Sequence, residues 1–212
     1  MTHRPTGIFL VMLAALSISS CTNPTKAPVQ ADNTPKMEGH SQHSMAMMQN
    51  MDAMMEHVNS MKMTGDFDVD FANMMVEHHQ GAISMSQVEL KEGSDAQMKD
   101  MAQKIITAQQ AEIAKLRDFV QAHPATSAQQ QPMAGGHMQS MHKQMKAMPM
   151  SGQVDRDFAS MMVVHHQGAV TMAQEELVKG KQAGLKQMAQ QMITDQQREI
   201  GEFQAWLNKN PK

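Results

Sequence analysis

Cysteine occurs once in the 212 residues, at Cys21, so no disulfide can form within the chain. Positive charge is scarce as well. Once the first 21 residues are set aside, 17 Lys and Arg face 21 Asp and Glu, a net charge of −4. No basic stripe overrules that balance, which excludes nucleic acid as a partner. Nothing after residue 21 is continuously apolar, which excludes a membrane-spanning anchor there. Tyrosine is absent, tryptophan occurs once, and only five leucines follow residue 21: Leu90, Leu116, Leu177, Leu185 and Leu207. The same stretch holds 25 Met. A helical core would ordinarily draw on Leu, because Met is flexible and specifies packing poorly. Met at five times Leu therefore calls for a chemical reason.

The first 21 residues have the plan of an export signal. Arg4 supplies a positive start, and Ile8 to Ile18 form an eleven-residue apolar run too short to span a bilayer. Ile18-Ser19-Ser20-Cys21 then resembles the lipobox of bacterial lipoproteins. The expectation is a signal peptide over 1–21, lipidation at Cys21, and a chain held in the periplasm or at the cell envelope through that lipid alone. An ordinary cleavable signal is the alternative. Thr22 after the cysteine, in place of Asp, favours the outer membrane. With Cys21 acylated, soft-metal chemistry is left to thioethers and imidazoles.

A duplication sets the organisation. Asp70 to Val120 aligns without a gap on Asp157 to Leu207, an offset of 87, with 27 of 51 positions identical. The register extends upstream, where Met51, Met54, Met61 and Met63 pair with Met138, Met141, Met148 and Met150. Residues 22–36 read as a tether, 37–122 as the first repeat, 123–136 as a linker and 137–208 as the second repeat. Each repeat is a Met-rich segment followed by two helical patterns. Phe71, Met75, His78, Ala82 and Met85 recur at three- and four-residue steps, as do Met98, Ala102, Ile105, Gln109, Ile113 and Leu116. Asp68 and Asp155 are the expected N-caps; Gly93 and Gly180 sit where helices would end. One hairpin cannot bury its own stripe, so the expected fold is all-α. Two duplicated hairpins pack as a four-helix bundle with pseudo-twofold symmetry.

On a helical wheel His78 falls within about 40° of Phe71, Ala82 and Met85, facing the core, while His79 falls toward the flank. Met74 and Met75 lie close by. Met161, Met162, His165, His166 and Met172 repeat the arrangement. A turn near residue 93 would bring His78 opposite Gln109, and Glu112 opposite Met75, with Gln196 and Glu199 as counterparts. Three readings of this polar layer compete. One is a hydrogen-bond network that fixes register. Another is a Met and His site for Cu(I) or Ag(I). The third is a di-metal carboxylate site, for which only Glu112 and Glu199 face inward and no Glu stands three residues before either inner His.

The Met-rich segments carry Met45, Met47, Met48, Met51, Met54, Met55, Met61 and Met63 with His57, and Met138, Met141, Met145, Met148 and Met150 with His137 and His142. Met37, Met133, His40 and His43 extend the two stretches. Met47, Met51 and Met54 share a helical face, which a plain amphipathic helix would also give. Interleaved His and off-stripe Met pairs fit a set of labile Cu(I) sites instead, since thioethers are soft, neutral and indifferent to protons.

The blocks DFxxMMVxHHQGAxxMxQ and AQxxIxxQQxEI resemble the bacterial family called domain of unknown function 305, with its CopM-type copper-binding members, over residues 51 to 207. The resemblance implies an exported, ferritin-like helical bundle that binds copper or silver. It carries over Met74, Met75, His78, His79 and Met85, and Met161, Met162, His165, His166 and Met172, as metal-site residues. Relatives with Met-Ile-Pro before the paired His differ from the Met-Met-Val found here.

Together these point to an extracytoplasmic protein that sequesters or hands on Cu(I), with silver as a second cargo and a copper exporter or periplasmic copper chaperone as partner. No catalytic constellation is legible, so it reads as a non-enzyme. A ferritin-like metal-dependent oxidase and a Met-based antioxidant are the rival readings.

Overall fold

The computed structural model describes residues 42–124 and 135–211. The export signal with Cys21, the tether, Met37, His40, Met133 and most of the linker lie outside the described residues. Six α-helices and no strands occur among the described residues: α1 Gln42–Ser60, α2 Phe67–Glu92, α3 Ala96–Ala122, α4 Gly136–Ala147, α5 Val154–Lys179 and α6 Ala183–Lys209. Helices α5 and α6 begin and end 87 positions after α2 and α3, so the sequence repeat is a structural repeat. None of these helices is long and apolar enough to cross a membrane.

A sharp reversal delivers each Met-rich helix to its hairpin. Gly65 and Gly152 both take φ 82°, a left-handed conformation that any residue with a Cβ resists. The Asp70 carboxylate holds the first reversal by accepting from Thr64 N and Oγ1, each at 2.7 Å. Asp157 does the same from Ser151 N and Oγ, each at 2.7 Å.

Two of the expected caps are corrected. Asp66, not Asp68, caps α2 by accepting from Val69 N, and Gln153 precedes α5 with no side-chain cap. Asp68 and Asp155 instead reach the opposite hairpin. Asp68 accepts from Lys181 N and Gln182 N (3.0 and 2.8 Å), and Asp155 from Ser94 N and Asp95 N (2.9 and 2.7 Å). Each carboxylate thus satisfies orphan N–H groups at the start of the other hairpin's second helix, where the helix dipole also favours negative charge. This reciprocity runs α2 and α5 antiparallel. Gly93 and Gly180 do end their helices, in ordinary extended conformations. A Cβ at either would overlap the carboxyl of Glu89 or Glu176, so space is what demands glycine there.

Helices α2 and α3 form one hairpin, α5 and α6 the other; α2 packs on α5, the Met-rich α1 packs on α2 and α5, and the Met-rich α4 packs on α5 and on α1. The result is one helical bundle. Met supplies much of its core, with Met47, Met51, Met74, Met75, Met85 and Met98 among the largest fully buried side chains beside Phe71, Phe158 and Phe203. Such burial is worth about 1.5–3 kcal/mol for each large apolar side chain.

Candidate metal centre

Helix α2 is enclosed by α1, α3 and α5, and α5 lies against α2, α4 and α6. The wet stripe this leaves on α2 runs through Asn73, Glu77, Gln80, Ser84 and Gln87, while His79 faces α3, which corrects its placing at the flank. His78, His79, His165 and His166 are all fully buried. The antiparallel crossing brings His78 against His165 across the pseudo-twofold axis, with ring centroids 3.7 Å apart and planes inclined by 41°. Gln109 and Gln196 are buried but do not pair with them. The inferred partnership is shifted by one residue: His79 Nε2 donates to Glu112 Oε2 at 2.7 Å, and His166 Nε2 to Glu199 Oε2 at 2.8 Å.

Nδ1 and Nε2 of both His78 and His165 lack hydrogen-bond partners. Leaving a buried polar atom unsatisfied costs about 1–3 kcal/mol, so four in one place need a reason. Burial, then the neighbouring imidazoles, hold both pKa values well below 6.5. Both rings are therefore neutral at pH 7, each with one nitrogen lone pair free.

Thioethers stand where those lone pairs could be used. A Cβ on Gly81 would overlap Met51 Cε and lie 2.8 Å from Met54 Sδ and 3.1 Å from His165 Nε2. A Cβ on Gly168 would lie 2.8 Å from Met141 Sδ and 3.4 Å from His78 Nε2. The bare glycine backbone opens a gap that a sulfur and an imidazole nitrogen both face, once in each repeat. Nitrogen and thioether without carboxylate is a soft donor set, fitting Cu(I) or Ag(I) better than a hard cation. Among the described residues no three His, Cys, Asp or Glu side chains converge on a point, and Glu112 and Glu199 are each engaged by a histidine. Among the described residues the carboxylate di-metal reading finds no ligand set.

The remaining candidates separate by depth. Met47, Met55, Met74, Met75, Met85, Met138, Met161, Met162 and Met172 are buried in the core. Met45, Met48 and Met150, partly buried, line a surface cleft of about 460 Å³ between α1 and α4, whose wall also includes the fully buried Met145. Met61, Met63 and Met148 are partly buried against the core. His142 Nε2 lies 2.7 Å from Asp52 Oδ1, which also pairs with Lys146 at 2.8 Å. His137 Nε2 lies 3.0 Å from Glu175, and the exposed His57 3.5 Å from Glu77.

Four further positions escaped sequence reasoning. Gly81 and Gly168 were legible as mid-helix glycines three residues after each inner histidine, a costly choice in a helix. Glu89 and Glu176 continue the buried stripe four residues past Met85 and Met172. Both are fully buried. Burial, and then the facing Asp155, push the Glu89 carboxyl up to about 8; burial, and then Asp68, push Glu176 up to about 9. Both acids are protonated at neutral pH.

A duplicated helical bundle with paired histidines at its centre defines the class. The chain belongs to the family described as domain of unknown function (DUF305), whose model matches residues 18–120 and again 118–207. Among solved structures it is similar to CopM in its Cu(I)-bound form, at 25% identity and a TM-score of 0.54, covering 68% of this chain and 98% of that one. The silver-bound form gives 25% and 0.53 over 67% and 96%, and the Cu(II)-bound form 27% and 0.56 over 68% and 98%. A DUF305 fragment from Deinococcus radiodurans, 21% identical with a TM-score of 0.53 over 67% and 95%, shares the fold. No curated protein matches the sequence.

Proposed function

We propose that this protein binds Cu(I), with Ag(I) as an alternative cargo, outside the cytoplasm, and sequesters or transfers it in metal homeostasis. The observation that carries the reading is the buried pair His78 and His165, neutral and without hydrogen-bond partners, each facing a methionine sulfur across a glycine. Neutral imidazole and thioether release no proton on binding a soft cation and add no charge to a buried site. The Met-lined cleft of α1 and α4 supplies a second, solvent-facing set suited to labile capture. Likeness to CopM in Cu(I)- and silver-bound forms supports the cargo. The lipobox-like Cys21 and the absence of disulfide chemistry suit a lipid-anchored envelope protein without thiol ligands. No catalytic role is assigned.

Anaerobic titration with Cu(I) against a chromophoric competitor tests this reading. The wild-type protein should hold at least one equivalent, and the His78→Leu/His165→Leu double variant should lose the tightest class of site while keeping its helical circular dichroism. Less than one equivalent bound by wild type would overturn the proposal. Unchanged tight binding in the double variant would move the copper to the α1–α4 cleft.

A further inference from the structure

The surface is indented twice beside the buried imidazole pair. One cleft, of about 360 Å³, is lined by Met54, Gln80, Gly81 and Ser84 among others. The other, of about 130 Å³, is lined by Met141, Gln167, Gly168 and Thr171, each 87 positions on from its counterpart. These clefts belong to the fold's pseudo-twofold plan. Each has a methionine and a helical glycine in its wall.

We propose that these two clefts are the ports through which Cu(I) reaches the histidine pair, with Met54 and Met141 as the relaying ligands. This rests on the copper reading above. Met54 lines the first cleft and sets its Sδ beside Gly81, where His165 Nε2 approaches from within. Met141 lines the second and sets its Sδ beside Gly168, where His78 Nε2 approaches. In each case one sulfur borders both the cleft and the imidazole. The glycine is the thinnest part of the wall, because a side chain there would fill the gap between them. Methionine suits the relay: its thioether binds the ion without charge, and its three rotatable bonds let the sulfur swing without backbone movement. The ion passes by ligand exchange, gaining the inner nitrogen as it loses the outer donors, with no change of oxidation state and no proton transfer.

The test is the rate of loading, measured anaerobically by stopped flow with Cu(I) supplied as its bicinchoninate complex at less than one equivalent. Gln80→Trp and Gln167→Trp narrow the two mouths and alter no proposed ligand. Each alone should slow loading by no more than about half, since the other port stays open. Together they should slow it by roughly tenfold or more, with the same amount of copper bound at equilibrium. A second pair, Ser84→Lys and Thr171→Lys, sets a positive charge in each mouth and should slow loading in the same order should the tryptophans disturb folding. A doubly blocked protein that loads at the wild-type rate overturns the ports and leaves the copper centre standing. Failure of the wild type to bind at equilibrium overturns both.

Discussion

Lowering the pH from about 8.5 to about 6.5 should stabilise the copper-free protein, and two buried carboxyls are the cause. Glu89 and Glu176 have an ordinary pKa of 4.5 and are raised to about 8 and about 9 in the fold. Between 4.5 and those values the folded chain keeps a proton at each site that the unfolded chain has released. Stability from these groups is therefore fully present at low pH and lost as the pH rises through the raised values. Each carboxyl contributes a slope of at most about 1.4 kcal/mol per pH unit while that difference persists. Over the two units named, and trimmed for relaxation and water penetration, the pair amounts to roughly 2–4 kcal/mol. That is a rise of several degrees in Tm for a domain of this size. His78 and His165 act in the opposite sense, but only below 6.5, where the unfolded chain takes up protons that the buried rings refuse. Thermal unfolding followed by circular dichroism, in chelator, reads the effect. Glu89→Gln/Glu176→Gln keeps the shape of the protonated acids, so the double variant should be more stable than wild type at the upper pH and nearly flat across the range. A wild-type Tm that does not rise on acidification, or a double variant with the wild-type pH dependence, refutes the reasoning.

Two further predictions concern glycines. Gly152 and Gly201 both have open space where a Cβ would go, but Gly152 alone has positive φ. Urea unfolding should find Gly201→Ala more stable by about 0.5–1 kcal/mol and Gly152→Ala less stable by about 1–2 kcal/mol. At Gly168 the new methyl group would displace Met141 Sδ, the far end of a flexible side chain. Gly168→Ala should therefore keep the fold while weakening Cu(I) binding by roughly tenfold; an unaltered competition curve would remove Met141 from the ligand set.

Much of the fold was legible because its signals are local. Apolar steps of three and four gave the helices, Gly93 and Gly180 marked their ends, and the offset of 87 gave two copies. The caps went astray because Asp66 and Asp68 are both well-placed acids in sequence. Only the docking of the opposite hairpin assigns Asp68 to Lys181 and Gln182. His79 was placed at a flank because a helical wheel does not show that α3 covers that side of α2, leaving solvent along Asn73, Glu77, Gln80, Ser84 and Gln87. That one-residue error also exchanged the partners, giving Glu112 to His79 and freeing His78.

Sequence alone determined which candidate donor side chains this protein carries. With one cysteine, 27 methionines and paired histidines in each repeat, a soft nitrogen and sulfur donor set follows from composition and periodicity. The tertiary structure decided which donors meet. Met54 and His165 are 111 positions apart, and Met141 and His78 63 apart, so neither pairing leaves any periodic trace in the chain. They converge because α2 and α5 cross antiparallel under α1 and α4, and because two glycines leave room for sulfur to reach nitrogen.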